Sequence, residues 1–509
     1  MKRANVIFAL LLVMVMFVSM ACPRGAFAAN PAKDTLVIGS YMDPVDLHPH
    51  NHNLQWSHTI KSQMYETLII ADSEGVKPNL AESWQWEDDT TLVINLKKGV
   101  KFHNGYGEMK ASDILFTISL LKVSNYSTMA VEYVDMEKSF AKDDYTVVLK
   151  LTGPFAAQMN YFNWPLTAIV SEAGYKANDG DFSKQSIGTG PYKLAKWVKD
   201  SEVVMVKHDE YWEEDKPHIP NLIFRVIPEA TTRTLELESG GIDVALTLST
   251  VDVARLEARN DTYVMRGPSM QMWELFFNFK NEHLAKYNVR KAICMAIDWA
   301  PAIMASFGDS GIPASNYLAP GVEGYVKFDP ISYDPEGARA LLAGEGYKDG
   351  DITITFFTSN TEVRVKFCEV IQGFLQDIGI NVQVKPMEQA AFVDAYLGSE
   401  HDLTHFGYTA VTMEAGKVLP YYQSSNIYNA TVSWHSPEFD KLVDDARVNI
   451  NEQERVSRYV KAQQMLFDNL VSYPCMQPII LAGVRSNLTG FELEGSFEVH
   501  RFKHAYFTE

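Results

Sequence analysis

Residues 78–121 read PNLAESWQWEDDTTLVINLKKGVKFHNGYGEMKASDILFTISLL. Asp88-Asp89 is a turn signal, and Thr91 to Leu96 alternates apolar and polar side chains, which predicts a half-buried strand. Lys98-Gly99 ends that strand, and Val100-Lys101-Phe102 starts another. Ser112 then precedes Asp113 and an apolar run whose Ile114, Leu115, Ile118 and Leu121 share one helical face. That position makes Ser112 a candidate N-cap. By itself such a strand–turn–strand–helix unit specifies only an α+β element.

Working outward, 509 residues exceed what one hydrophobic core supports, so two or more domains are expected. With 46% hydrophobic and 21% charged residues the chain is that of a folded globular protein. A formal charge of −19 argues against a nucleic-acid groove and against anionic lipid surfaces, and it suits a dispersed carrier. Lys2 and Arg3 precede a nearly apolar run from Val6 to Ala21, and Ala26-Phe27-Ala28 fits the small–x–small cleavage rule. Residues 1–28 therefore read as a signal peptide and the mature chain as periplasmic, with lipidation at Cys22 as the alternative processing. No later segment is long and apolar enough to span a bilayer. Cys294, Cys368 and Cys475 remain after cleavage, none in a C-x-x-C pair. Cys294 and Cys368 fall on apolar helix faces and read as small buried hydrophobes.

Along the chain, Thr35 to Tyr41 reads as a first strand, and Gln55 to Ile70 as a helix. The loop between them carries His48, His50 and His52, with His58 further on; these are candidate metal ligands by composition and equally well a structural loop. Ser186 to Tyr192 reads SIGTGPY; it lacks the third glycine, the Lys-Ser/Thr pair and the following helix of a phosphate loop, so a structural turn is expected. Strands separated by helices imply parallel sheet units. Asp334-Pro335-Glu336 and Ser436-Pro437-Glu438 open helices, each with an N-cap, an N1 proline and a first-turn acid.

Several phrases share one likeness: YETLII, LAESW, the Asp-Asp turn, LKKGVKFHNG, ASDILF, GTGPY, the P-x-x-T-x-R helix before G-x-I-D, and NVRKAICMAID. In this order they resemble the extracytoplasmic solute-binding proteins of the peptide/nickel family that feed ABC importers. The resemblance spans Leu36 to about Arg501. It implies an α/β, two-lobed periplasmic binding protein fold of the large type, with an extra subdomain in the first lobe. Residues 29–75, 187–275 and 479–509 would form lobe I, 76–186 the extra subdomain and 276–478 lobe II. It also implies a monomer without cofactor and without catalytic activity. Such a protein closes its lobes on a small peptide or peptide-like solute and delivers it to permease and ATPase subunits.

Peptide-binding members hold the ligand amine with an aspartate in a D-x-P-like segment, and the corresponding stretch here, His405 to Glu414, has no Asp. Glu414 is the substitute carboxylate in that comparison, or else a solvated loop acid. Tyr41, Trp273, Tyr408, Thr409 and Trp434 are the other expected ligand contacts, with Tyr421 and Tyr422 beside them, because strand ends and inter-lobe loops build clefts. Arg364 opens a helix, where it meets either a ligand carboxylate or solvent. Binding of a nickel metallophore, haem or oligosaccharide on the same fold remains an alternative, as does, more remotely, a secreted hydrolase. No G-x-S-x-G, H-E-x-x-H, Walker A or complete dinucleotide motif occurs.

Overall fold

The computed structural model describes residues 33–508 except 53–54, 73–74, 183 and 494–498. The expected signal peptide, residues 1–28, and Cys22 lie outside the described residues. In the first lobe, Thr35–Ser40 pairs in parallel with Asn221–Val226 and Val244–Leu246, and Glu202–Lys207 and Tyr192–Val198 extend the sheet antiparallel. A separate antiparallel sheet runs Ala81–Asp88, Thr91–Leu96, Thr146–Leu151, Val134–Asp143. Its core joins Leu92, Ile94 and Leu149 to Ile114, Ile118 and Leu121 of the helix Ala111–Val123. In the second lobe Ile352–Ser359 pairs in parallel with Ile380–Met387 and Leu403–Thr409, while Gln271–Phe277 runs antiparallel to Leu403–Thr409. The molecule is thus mixed α/β and two-lobed.

One strand joins the lobes. Ser472–Arg485 pairs through residues 472–476 with Gln271–Phe277, and through 479–485 with Thr262–Pro268. The chain therefore crosses between lobes at Pro268–Met270 and again at Gln477–Ile479. Ser269 N–H donates to Pro478 O at 2.9 Å, and Gln477 Nε2 to Ser269 O at 2.8 Å, which pins the two crossings together. Gln271–Phe277 is paired on both sides with strands of the second lobe.

Local readings needed revision where distant partners took over backbone groups. The helix expected over Gln55 to Ile70 stops at Lys61, and Ile69–Asp72 is a strand. Met64 O and Gln63 O accept from Gly190 N and Tyr192 N, each at 3.0 Å, so the helix cannot continue. Val100 to Phe102 forms no strand; Lys101 makes an isolated bridge to Glu108. Ser112 lies inside the helix Ala111–Val123. Its N-cap is Lys110, whose N–H donates to Asp113 Oδ2 at 2.9 Å. Thr91–Leu96 is a strand, but five of its six residues are buried, because both its faces are covered. Asp334 and Ser436 do cap their helices, accepting from Gly337 N and Phe439 N.

The GTGPY turn explains its own glycines. A Cβ on Gly188 would stand 2.3 Å from Met64 O, and one on Gly190 2.6 Å from Gln63 O. The turn must lie flush on the 63–65 backbone for the cross-chain hydrogen bonds to form. Gly188→Ala is expected to destabilise the protein by about 2 kcal/mol or more, read as a lowered urea midpoint; an unchanged midpoint would refute the close-packing account.

Candidate functional site

The second-lobe face begins at Trp273. Residues 272, 274 and 276 of its strand point to one core and 273, 275 and 277 to the other, as the pleat requires. Opposite Trp273 in register is Gly407, where a Cβ would stand 2.4 Å from the indole Cδ1, so glycine lets the ring lie across the strand pair. Gln271 Oε1 accepts from Trp273 Nε1 at 2.6 Å and fixes the ring. Arg364, in the first turn of the helix Glu362–Asp377, lays its guanidinium 4.5 Å from the indole centroid. It is half-buried, and among the described residues it makes no hydrogen bond or ion pair. Burial holds its pKa below the usual arginine range. The imidazole of His405 sits 5.4 Å from the Trp273 ring, donates to or accepts from Thr358 Oγ1 at 3.1 Å, and is kept neutral by burial and by Arg364. A planar, partly desolvated guanidinium without an acid partner has the geometry to bind a carboxylate or phosphate through two parallel hydrogen bonds.

An aromatic wall stands nearby. Tyr408 packs on Tyr421 at 4.5 Å between centroids, and Tyr421 on Tyr428 at 4.9 Å. Tyr422 instead turns inward, donating to the buried Glu274. Thr409 is half-buried at the Gln271 end of the strand pair. Trp434 stands one ring behind that wall: Asn429 Nδ2 donates to both Tyr422 O at 2.7 Å and Trp434 O at 2.8 Å, and the indole packs on Phe439, which in turn meets Tyr422.

Glu414 is not a solvated loop acid. It is 2% exposed and turned into the second lobe beside Tyr459, Glu323 and Arg455. Burial pushes its pKa up to about 7. In the first lobe Tyr41 stacks edge-on to Trp56 at 5.9 Å. Both line a small recess with Ser40 and Thr247, at the carboxyl ends of the parallel strands. That is where α/β sheets bind ligands. Leu246 and Trp273 pair with Ala482 and Met476 of the shared strand, so the two faces stand roughly 20 Å apart across the hinge.

The histidine run does structural work. His50 Nε2 is within 2.8 Å of Ala168 O, His48 Nδ1 accepts from His50 N at 3.1 Å, and His52 lies 3.4 Å from Asp46. These imidazoles have separate partners and do not converge on one point. Lys61 Nζ threads the same loop, bonding Asp46 Oδ1, His48 O and Asn51 O. Cys294, Cys368 and Cys475 are all buried and free, and burial raises each thiol pKa.

The profile of bacterial extracellular solute-binding proteins, family 5 (middle), matches residues 75–430. The chain belongs to that family. It is 27% identical over 480 residues to the glutathione-binding protein GsiB of Shigella dysenteriae, covering 92% of this chain and 93% of that one. HbpA2 from Haemophilus parasuis superposes with a TM-score of 0.84 at 23% identity, over 93% of this chain and 100% of the other. The periplasmic binding protein DppA from Helicobacter pylori, solved with the peptide STSA, gives 0.72 at 25% identity, over 94% and 99%. Family 5 membership fixes the role as substrate capture for an ABC importer. Sequence reasoning weighed Arg364 without choosing it and passed over Gln271, Trp56 and Thr247. The decisive property of Arg364 is a missing partner, which no motif encodes.

Proposed function

We propose that this protein captures a peptide-like solute between its lobes, with Arg364 receiving the solute's carboxylate. The carrying observation is that a half-buried guanidinium, stacked on Trp273, lacks any acid partner among the described residues. Trp273, Tyr408 and Thr409 would line the second-lobe side, and Tyr41 with Trp56 the first-lobe side. Relatives whose names or complexes specify glutathione and a tetrapeptide support the peptide class. In this reading 29–75, 187–269 and 479–509 form the first lobe, 76–186 its added subdomain, and 270–478 the second. Rotation about the paired crossings at 268–270 and 477–479 would close the faces on the solute. The closed form would engage the permease outside the cytoplasm, and through it the ATPase subunits on the other side of the membrane. The chain itself binds and releases, and ATP hydrolysis on its partners drives transport.

Native mass spectrometry against a tripeptide pool, and against the same pool C-terminally amidated, tests this. Adducts are expected from the free acids only. Equal adducts from both pools would remove Arg364 as carboxylate anchor, and none from either would overturn the peptide reading.

A further inference from the structure

A second uncompensated cationic site lies where the second lobe meets the added subdomain. Arg447 ends the helix Pro437–Arg447, and Lys417 ends the short turn Ala415–Lys417. Arg447 O accepts from Ala156 N at 3.0 Å, and its guanidinium stands 5.9 Å from the Phe155 ring. Both side chains are half-buried. Neither makes a hydrogen bond or ion pair among the described residues, and Arg447 Nε is fully buried without a partner.

Three of the acids close in sequence or space are already engaged, and the fourth, Glu414, is buried with Oε1 unpartnered and pushed by burial towards its neutral form. Asp444 Oδ1 accepts from Gln423 at 2.8 Å, Asp445 pairs with Lys441 at 2.7 Å, and Glu323 holds Arg455 at 2.6 Å. Burial, and then the charge of Arg447, hold the Lys417 ammonium below its usual pKa. Two neighbouring cations without an ion pair among the described residues, in a chain of net charge −19, destabilise the free protein and gain most from an incoming anion.

The seam is continuous with the aromatic wall. Tyr161 of the added subdomain feels the charges of Arg447 and Glu414 and the nearby Tyr421, which itself stacks on Tyr408. Asn163 Nδ2 reaches across to Val411 O at 3.3 Å.

We infer that Lys417 and Arg447 form a second anion subsite that takes an additional acidic group of the solute, so that the preferred ligand class is a peptide with at least two carboxylates. This rests on the peptide reading above and narrows it.

Titration calorimetry with Glu-Ala-Gly, Ala-Glu-Gly and Ala-Gly-Glu against their glutamine counterparts provides the test. At least one pair should show a preference for Glu of about ten-fold or more in the natural chain. In Lys417→Met and in Arg447→Gln that ratio should fall towards one. Ligand-free Lys417→Met should melt no lower than the natural chain, since it removes one of two repelling charges. A lower melting temperature would mean Lys417 is already paired, and would overturn the subsite. Equal binding of Glu and Gln peptides, or a preference surviving both variants, would overturn it while leaving Arg364 as carboxylate anchor. If no peptide binds, both the subsite and the peptide reading fall.

Discussion

Arg364→Met should weaken solute binding by at least about a hundred-fold, measured by titration calorimetry. A bidentate guanidinium–carboxylate pair supplies two charge-assisted hydrogen bonds of roughly 1.5–3 kcal/mol each, and every 1.4 kcal/mol is ten-fold in affinity. The indole of Trp273 beneath the guanidinium holds the fork in one plane, so little side-chain entropy is lost on binding. The stability of the ligand-free protein should barely change, because Arg364 gives up no ion pair on substitution. Lysine at this position keeps a charge but neither fork nor stack, and should recover only part of the affinity. Undiminished binding by the methionine variant would place the carboxylate elsewhere.

Glu274→Gln should stabilise the protein at pH 8 and leave it nearly unchanged at pH 4.5. Glu274 is fully buried; Oε2 accepts from Ser472 Oγ at 2.5 Å and from Tyr422 Oη, while Oε1 has no partner. Burial pushes its pKa up to about 7, against only partial compensation from those two hydroxyls. The native pKa thus lies above the unfolded one, so the native state holds the extra proton between about pH 4.5 and 7. Stability must therefore fall as pH rises through that window. The full effect is on the order of 3 kcal/mol once both states are ionised. Glutamine mimics the neutral acid and removes the dependence. Urea titrations of both proteins between pH 4.5 and 8 measure it. A variant no more stable than its parent at pH 8 would show that Glu274 is not protonated by burial.

The parts of the fold legible in sequence were those set by local chemistry. Asp334-Pro335-Glu336 and Ser436-Pro437-Glu438 read as helix starts because the cap, the proline and the acid act within one turn. The order of phrases from LAESW to NVRKAICMAID led to the right family, because it reflects the whole architecture. The helix after Gln55 was over-extended, since its backbone acceptors are claimed by residues 190 and 192. The site was harder. Tyr408, Trp273 and Trp434 were legible as aromatics near strand ends, but which of their faces is packed and which is open depends on distant neighbours such as Phe439 and Gln271. Glu414 matched a motif position and proved buried within the second lobe. What marks Arg364, Lys417 and Arg447 is that none has an ion-pair partner among the described residues, a property of three-dimensional neighbourhood alone.

The strand Ser472–Arg485 also governs the order in which the molecule can assemble. It stands mid-sheet, flanked by Gln271–Phe277 on the second-lobe side and Val244–Leu246 on the first. Thr35–Ser40, Asn221–Val226 and Val244–Leu246 are synthesised early, yet Val244 has no neighbour on its far side until Val484 arrives. Closing such distant pairings is entropically expensive and slow. Neither lobe can complete its sheet while the last part of the chain is missing. Both lobes are therefore finished by the same fourteen residues, and the ribbon that permits flexing in the native protein makes folding a late, joint event.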